Sequence, residues 1–248
     1  MLLCLVLFPV CPPASRAIAQ TAASTAASPA GPTAATAAET PANAAAADFA
    51  QLRRYREANR DLENHKGASA KVVFLGDSIT DYWGSRSGTW FKHAGWLNRG
   101  IGGQTTQQLL LRERNDALAL HPQAIVLEGS GNDMRLGFSP EQIRDNLLTM
   151  GELAEAHHVA VFVAKMTPVC DCYRPLTGLR TVERIRELNT LIEAMARERR
   201  WTVIDLWTPL AGPDGLMPKR LTVDGVHPND DGYALLAPVV EKALGRYQ

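Results

Sequence analysis

The chain has 248 residues, of which 46% are hydrophobic, with 26 basic and 26 acidic side chains. This length allows one large domain with an ample core, or two small ones. The charges balance and no basic block occurs, which argues against nucleic acid or an anionic membrane surface as the main partner. A small-molecule or neutral-polymer substrate fits better.

The N-terminal region differs in composition from the rest of the chain. A short apolar run near the start is too short to span a bilayer, and Ala17 and Ala19 fit the small-residue rule for signal-peptidase cleavage. We predict a secretory leader over residues 1–19, a disordered Ala/Thr/Pro-rich linker over 20–47 and a folded domain over 48–248. The protein is therefore expected to be periplasmic or secreted, without an integral membrane segment once the leader is removed.

Two of the four cysteines, Cys170 and Cys172, lie outside the predicted leader. A disulfide across one intervening residue is geometrically demanding, so the sequence leaves their redox state open. Together with His157 and His158 they could be considered a metal site, but the spacing matches no zinc pattern. We predict surface histidines, ordinary thiols and no metal.

From residue 48 onward, short apolar runs alternate with segments of helical periodicity. Strands buried on both faces are predicted at 71–75, 95–98, 124–128, 159–165 and 201–206. Helices are predicted at 48–64, 103–120, 139–156, 181–200 and 230–244. A capping box at Ser139 and Gln142 marks the start of the third helix, and Pro238 predicts a kink or a break in the last. The alternation predicts an α/β protein with a mostly parallel sheet of about five strands and helices on both faces.

Polar motifs follow three of the predicted strands. "GDSI" (76–79) follows the first strand, "NRGIGGQTT" (98–106) the second and "GSGND" (129–133) the third, while "DGVHPN" (224–229) precedes the last helix. Ligands of parallel sheets bind at the carboxyl ends of the strands. The four motifs are therefore expected to meet at one edge of the sheet.

The residue types in these motifs suit hydrolysis through serine. A serine hydroxyl needs a base within hydrogen-bond reach and a third group that orients the base. A turn between Asp224 and His227 could bring the carboxylate to one ring nitrogen while the other points at Ser78. The backbone N–H of Ser78, a backbone N–H of the "GIGG" loop and the amide of Asn132 are candidate donors to an oxyanion.

In this order, the four motifs resemble those of the SGNH hydrolases, also called the GDSL family of esterases and lipases, over essentially the whole predicted domain. The resemblance implies a three-layer α/β/α flavodoxin-like fold without a metal or cofactor. It implies Ser78 as the nucleophile, His227 as the base and Asp224 as the residue that orients the base. Gly103 and Asn132 are implied to join Ser78 in the oxyanion hole. Within the family, the chain is similar to the catalytic subunits of platelet-activating-factor acetylhydrolase and to bacterial carbohydrate acetylesterases.

Three neighbours of the motifs are candidate substrate contacts. Each has an ordinary structural alternative: Asp77 as a turn residue, Trp83 as a packing aromatic and Arg135 as a solvated surface side chain. The Pro- and Gly-containing segment 167–178 is the best candidate for a rim or lid of the site, with a crossover loop as the alternative.

The sequence thus predicts a serine esterase that hydrolyses carboxylic esters through an acyl-enzyme. The lack of a long apolar insertion favours short acyl groups, such as acetyl esters of carbohydrates or small lipids. Two alternatives stay open, a non-catalytic flavodoxin-like module that binds a glycan or a nucleotide, and an acyltransferase that uses the same serine. The oligomeric state cannot be read from the sequence.

Overall fold

The computed structural model describes residues 47–64 and 70–248. The predicted leader and nearly all of the predicted linker lie outside these residues. None of the helices in these two ranges has the length and apolar character needed to cross a membrane.

Five parallel strands form a single sheet. They are β1 (Val72–Gly76), β2 (Trp96–Gly100), β3 (Ala124–Leu127), β4 (Ala160–Ala164) and β5 (Thr202–Ile204). Their order in the sheet is β2-β1-β3-β4-β5, with every neighbouring pair parallel. All five strands lie where the apolar runs predict them, and the parallel α/β architecture is confirmed.

Seven α-helices occur in the described part of the chain. They are α1 (Arg56–Asn64), α2 (Ser78–Tyr82), α3 (Thr106–Asp116), α4 (Gly131–Arg135), α5 (Pro140–Ala156), α6 (Val182–Arg199) and α7 (Asp230–Leu244). The capping box predicted for α5 is present, because Ser139 Oγ accepts the N–H of Gln142 at 3.3 Å and Gln142 Oε1 accepts the N–H of Ser139 at 2.9 Å. These two bonds satisfy backbone donors that a helix start leaves without intrahelical partners.

Two apolar cores lie on opposite faces of the sheet. Successive strand residues point to opposite faces, so β1 contributes Val73 and Leu75 to one core and Val72 and Phe74 to the other. The first core includes buried side chains of α3, α5 and α6, and the second includes those of α7. Because both faces are covered, the strands read as continuous apolar runs rather than as alternating patterns.

The first helix is shorter than its periodicity predicts. Turns occupy most of 48–55, and α1 begins only at Arg56. Gln51 adopts a left-handed backbone conformation, with φ of 54°, which a continuing α-helix does not allow. The carboxylate of Asp48 instead accepts the N–H of Leu52 at 2.8 Å and closes a separate turn.

The last helix runs through Pro238 without a break, so of the predicted kink or break, the break does not occur. A proline inside a helix removes one backbone donor and disfavours the preceding turn. Leu236 and Val240 on either side of Pro238 are both buried in the second core. Packing of this apolar face against the sheet outweighs the local cost of the proline.

The strand order creates a crevice at the carboxyl edge of the sheet. After β2 the chain crosses to the other side of β1 to form β3, so β1 lies between them. Segments leaving β1 and β3 therefore diverge at a topological switch point, where parallel sheets bind their ligands. The "GDSI" and "GSGND" motifs begin at the ends of these two strands.

Candidate active site

Ser78 stands at the first position of α2, directly after β1. The side chain of Asp77 caps this helix by accepting the N–H of Ile79 at 2.9 Å. Gly76 allows the tight turn, since a Cβ atom there would lie 2.1 Å from Thr80 Oγ1 and 2.6 Å from Glu128 Oε2. The strand therefore turns into the helix within two residues and presents Ser78 at the edge of the sheet.

Ser78, His227 and Asp224 form one hydrogen-bonded series. His227 Nε2 lies 2.8 Å from Ser78 Oγ, although 149 residues separate the two in sequence. His227 Nδ1 lies 2.7 Å from Asp224 Oδ2. A carboxylate can only accept, so Nδ1 carries the proton and Nε2 is left free to accept the serine hydroxyl proton.

The loop before α7 holds Asp224 and His227 in a fixed relation. The second carboxylate oxygen, Asp224 Oδ1, accepts the backbone N–H groups of Val226 at 3.0 Å and His227 at 2.9 Å. Thr222 Oγ1 donates to the carbonyl of His227 at 2.8 Å and accepts the N–H of Gly225 at 2.9 Å. Burial raises the pKa of Asp224, but the N–H groups of His227 and Val226 and the imidazole outweigh burial and lower it overall.

Tyr82 flanks the imidazole. Its ring centroid lies 4.9 Å from that of His227 at an interplanar angle of 52°. The guanidinium of Arg86 lies over the ring of Tyr82, 3.7 Å from its centroid. Tyr82, the last residue of α2, thus packs beside the imidazole of His227.

Asn132 reaches across to the two other strand-end segments. Its Nδ2 donates to the carbonyl of Gln104 at 3.0 Å and to Asp77 Oδ2 at 3.4 Å. Gly103 directly precedes Gln104, in the exposed loop after β2, with a φ of 84°. The amide of Asn132 therefore lies between the turn of Ser78 and the loop of Gly103.

A buried arginine, Arg112, holds the loop that contains Gly103 and Gln104. Arg112 of α3 donates from Nη2 to the carbonyl of Gly76 at 2.8 Å and from Nε to Gln104 Oε1 at 2.6 Å. Its Nη1 pairs with Asp116 at 3.3 Å, and both side chains are almost fully buried. Arg112 thus joins the end of β1 to the residue whose carbonyl holds Asn132.

Asp133 fixes the adjacent helices to each other. Its carboxylate accepts the N–H of Thr106 at 3.0 Å and the Thr106 hydroxyl at 2.5 Å. Burial raises the pKa of Asp133 to about 6, although the hydrogen bonds from Thr106 oppose that shift. The start of α3 is thereby tied to α4, which carries Asn132.

The carboxyl groups of Glu128 and Asp77 lie next to each other in the lining of the site. Glu128 Oε2 accepts the hydroxyl of Thr80 at 2.8 Å and the N–H of Asp77 at 3.3 Å. Burial first, and then the charge of Asp77, raise the pKa of Glu128 well above its ordinary value. Burial also raises the pKa of Asp77, against the effect of the Ile79 N–H, His227 and other neighbours.

A cleft of about 570 Å³ opens at Ser78, Asn132 and His227. The predicted rim segment 167–178 supplies much of its wall, including Val169 and Leu176. Within this segment, Cys170 and Cys172 are joined by a disulfide, so the prediction of ordinary thiols is wrong for this pair. The N–H of Cys170 donates to the carbonyl of Gly225 at 2.8 Å, so the rim contacts the loop of His227.

The three predicted substrate contacts have different positions. Asp77 and Arg135 line the cleft, Asp77 as a buried cap and Arg135 as an exposed side chain. Trp83 does not belong to the lining of this cleft and is corrected to a packing residue. It is 5% exposed and packs against Trp90, Phe91 and Tyr233 in the second core.

Sequence reasoning overlooked three charged residues of the cleft: Glu128, Arg174 and Arg180. Glu128 is the last residue of the third apolar run, and a charged residue at the carboxyl end of a buried strand could have indicated that it belongs to the site. Arg180 directly precedes Thr181, the residue that caps α6. Arg174 lies inside the predicted rim but carries no motif.

Within 47–64 and 70–248, no group of three or more His, Cys, Asp or Glu side chains is arranged to hold a metal ion. The imidazole of His227 and the carboxylate of Asp224 are instead bonded to each other.

The protein is a hydrolase with an α/β fold, as its parallel sheet, its cleft at the switch point and its similarity to known proteins together indicate. The chain belongs to the GDSL-like lipase/acylhydrolase family, whose sequence model matches residues 74–235. The family expectation from the four motifs is thereby confirmed. Curated proteins include no significant match to the chain.

Solved structures share this fold over most of their length. A protein assigned as an acylhydrolase from Bacteroides fragilis is 29% identical, with a TM-score of 0.73, over 80% of this chain and 98% of that chain. A GDSL-like lipase from Bacteroides thetaiotaomicron is 29% identical, with a TM-score of 0.72, over 81% of this chain and 100% of that chain. A variant of an acetyl-xylooligosaccharide esterase from Geobacillus is 18% identical, with a TM-score of 0.56, over 72% of this chain and 96% of that chain, and shows likeness of fold alone.

Proposed function

We propose that the protein is a serine esterase that hydrolyses carboxylic esters through an acyl-enzyme on Ser78. The observation that supports this most directly is the unbroken series from Asp224 through His227 to Ser78, with contacts of 2.7 and 2.8 Å, at the mouth of a cleft. A nucleophile, a base and a group that orients the base are the parts that this chemistry requires.

In the first half of the reaction, Ser78 Oγ attacks the ester carbonyl carbon while its proton passes to His227 Nε2. The tetrahedral intermediate then collapses, the bond to the alcohol oxygen breaks, and His227 returns the proton to that oxygen. In the second half, a water molecule gives a proton to Nε2 and attacks the acyl group. The carboxylic acid leaves and Ser78 recovers its proton.

The negative charge that develops on the carbonyl oxygen needs preorganised donors. The N–H of Ser78 stands at the start of α2, and the amide of Asn132 lies between this turn and the loop of Gly103. We assign Ser78, Gly103 and Asn132 to the oxyanion hole. The 3.0 Å bond to the Gln104 carbonyl orients the amide of Asn132, and the longer bond to Asp77 Oδ2, at 3.4 Å, is the one that the oxyanion replaces.

The cleft fits an ester with a short acyl group. Its volume of about 570 Å³ is lined by charged and polar side chains together with apolar ones such as Met166, Val169 and Leu176. A long acyl chain needs a deeper apolar lining than this. Acetyl esters of carbohydrates or small lipids are the proposed substrates.

We also propose that the protein works in an oxidising compartment, the periplasm or the exterior of the cell. The leader-like N-terminus and the disulfide between Cys170 and Cys172 support this location. N-terminal sequencing of the protein recovered from its cell is expected to begin after Ala19.

The Ser78→Ala variant tests the proposed chemistry. Hydrolysis of 4-nitrophenyl acetate is expected to fall by about 10³-fold or more, with the unfolding transition preserved. Ser85→Ala is the matched control, since Ser85 is exposed and its hydroxyl donates only to a backbone carbonyl, that of Asp81. Mass spectrometry of quenched reactions is expected to detect an acylated Ser78 in the parent protein. Undiminished turnover by Ser78→Ala would refute the proposal.

A further inference from the structure

Three arginines line the same cleft although they come from separate segments. Arg135 ends α4, Arg174 lies in the rim, and Arg180 directly precedes the cap of α6. They are close enough to affect one another, because burial first, and then the positive charges of Arg135 and Arg174, lower the pKa of Arg180. The chain as a whole carries 26 basic and 26 acidic side chains, so this concentration of positive charge is local.

None of the three arginines forms a salt bridge with a carboxylate of the described residues. Asp77 and Asp224 act on Arg180 only at longer range. Both carboxylates are engaged elsewhere, Asp77 with Ile79 and Asn132, and Asp224 with His227. The three guanidinium groups of the cleft therefore have no carboxylate of the described residues in direct contact, and Arg180 has only the more distant Asp77 and Asp224.

Arg180 is built into the wall rather than extended into solvent. It is 4% exposed, and its Nε donates to the carbonyl of Gly131 at 2.8 Å. That bond fixes the plane of the guanidinium and leaves its terminal nitrogens without a hydrogen-bond acceptor among the described residues. An anion bound in the cleft would give this guanidinium a close counter-charge, in addition to Asp77 and Asp224 at longer range.

We propose that the cleft selects esters that carry an anionic group, which Arg180 binds together with Arg135 and Arg174. This inference rests on the proposed esterase function and narrows its substrate class. A guanidinium presents paired N–H donors that match the oxygens of a carboxylate or a phosphate. Ser78 and the arginines line one cleft, so the ester carbonyl and the anion belong to the same small molecule or sugar unit.

Matched pairs of esters test the inference. On the acyl side, 4-nitrophenyl hydrogen glutarate is compared with 4-nitrophenyl valerate, which has a neutral chain of similar length. On the alcohol side, acetylated methyl glucuronide and acetylated methyl glucoside 6-phosphate are compared with acetylated methyl glucoside. We expect kcat/KM to be about 10-fold or more higher for the anionic member of at least one pair, and the preference to weaken as NaCl is added. The pair that shows the preference locates the anion on the acyl or the alcohol side and distinguishes carboxylate from phosphate.

The double variant Arg135→Gln/Arg174→Gln is expected to reduce the anionic-to-neutral ratio of kcat/KM at least several-fold. Because Arg180 also holds the Gly131 carbonyl, Arg180→Gln is measured as a second variant, with the same ratio as readout. Arg114→Gln is the matched control, since Arg114 is exposed on α3 and is not part of the cleft lining. This control is expected to keep the parent ratio.

Equal kcat/KM values within every pair would overturn the inference, as would a preference that persists in the double variant. Either result leaves the esterase proposal intact if the neutral esters are hydrolysed. Absence of turnover for neutral and anionic esters alike would instead refute the proposed function.

Discussion

Asp224 binds the imidazole of His227 with one carboxylate oxygen at 2.7 Å and the backbone N–H of the same residue with the other at 2.9 Å. One carboxylate thus holds both the main chain and the ring of the proposed base. The hydrogen bonds lower the pKa of Asp224 in spite of burial, so the carboxylate is ionised at neutral pH and stabilises a protonated imidazole.

Asp224→Asn is expected to lower kcat for 4-nitrophenyl acetate by a factor on the order of 10³–10⁴. The asparagine amide favours the wrong imidazole tautomer and supplies no counter-charge. Steady-state kinetics measures the effect, and circular dichroism checks that the loop still folds. Asp214→Asn is the control, because Asp214 lies in a surface turn where it accepts the N–H of Leu216. A kcat within threefold of the parent value would contradict the role of Asp224.

Asn132→Ala is expected to lower kcat by about 10²–10³-fold with a smaller change in KM. A donor to the oxyanion acts mainly in the transition state, and its removal costs about 3–4 kcal/mol. Asn115→Ala, an exposed asparagine of α3, is the control. A loss confined to KM would show that Asn132 binds substrate instead.

Glu113 predicts an unusual dependence of stability on pH. It is fully buried, neither carboxyl oxygen has a hydrogen-bond partner among the described residues, and burial raises its pKa to about 8. Between pH 4.5 and 8 the unfolded chain loses this proton while the folded chain keeps it. Folding stability therefore falls as pH rises through this window, by roughly 1.4 kcal/mol per pH unit.

Glu113→Gln removes this titration. Relative to the parent protein, its free energy of unfolding is expected to be higher at pH 8 than at pH 5 by about 2 kcal/mol or more. Urea unfolding at the two pH values measures the difference. Glu57→Gln, at an exposed position of α1, is expected to show no such change. The same ΔΔG for Glu113→Gln at both pH values would contradict the raised pKa.

Arg112 and Asp116 are expected to show strong coupling. Arg112→Met alone is expected to destabilise the protein by about 3–5 kcal/mol, because it leaves Asp116 buried without its partner. Arg112→Met/Asp116→Leu is expected to recover part of that loss, as a double-mutant cycle of unfolding free energies can show. Both variants are expected to lose activity, since Gln104 and the Gly76 carbonyl lose their donor. Additive effects in the cycle would contradict the coupling.

Alanine substitutions at Gly100 and Gly103 are expected to differ in their effect on stability. A Cβ at Gly100 would lie 2.1 Å from the backbone nitrogen of Asp81, so Gly100→Ala is expected to prevent stable folding. A Cβ at Gly103 meets nothing within 4 Å, and only its φ of 84° opposes the substitution. Gly103→Ala is therefore expected to cost about 1–2 kcal/mol. Thermal unfolding compares the two, and equal stability would contradict the steric argument.

Much of the fold was predictable because both faces of the sheet are covered. Double coverage makes each strand a continuous apolar run, and α5 and α6 have strong periodicity and clear caps. One error occurred where tertiary packing outweighs local preference, and the other where the local backbone departs from the helix. Pro238 is tolerated because its neighbours are buried, and α1 starts late because of the left-handed Gln51.

The site was predictable to the extent that its residues stand in motifs at strand ends or directly before the last helix. Ser78, Asn132 and His227 could be selected in this way, but the sequence could not say that Trp83 points into the second core. Arg174 and Arg180 were overlooked because their importance depends on proximity to each other and to Arg135. Proximity of residues from separate segments is a property of the folded chain.

The reacting groups and the wall of the cleft come from different segments of the chain, which affects how the selectivity of this enzyme could change. The proposed nucleophile, base and oxyanion donors belong to short turns fixed to the sheet, whereas residues 167–180, within the connection between β4 and α6, supply much of the wall of the cleft. Replacing residues 167–180 by a different loop would change the wall of the cleft and leave the reacting residues themselves unchanged. Any graft is constrained at Arg180, which holds the Gly131 carbonyl, and at Gly225, where a Cβ would lie 2.5 Å from the carbonyl oxygen of Cys170. A transplanted wall must therefore keep its backbone in register with the histidine loop.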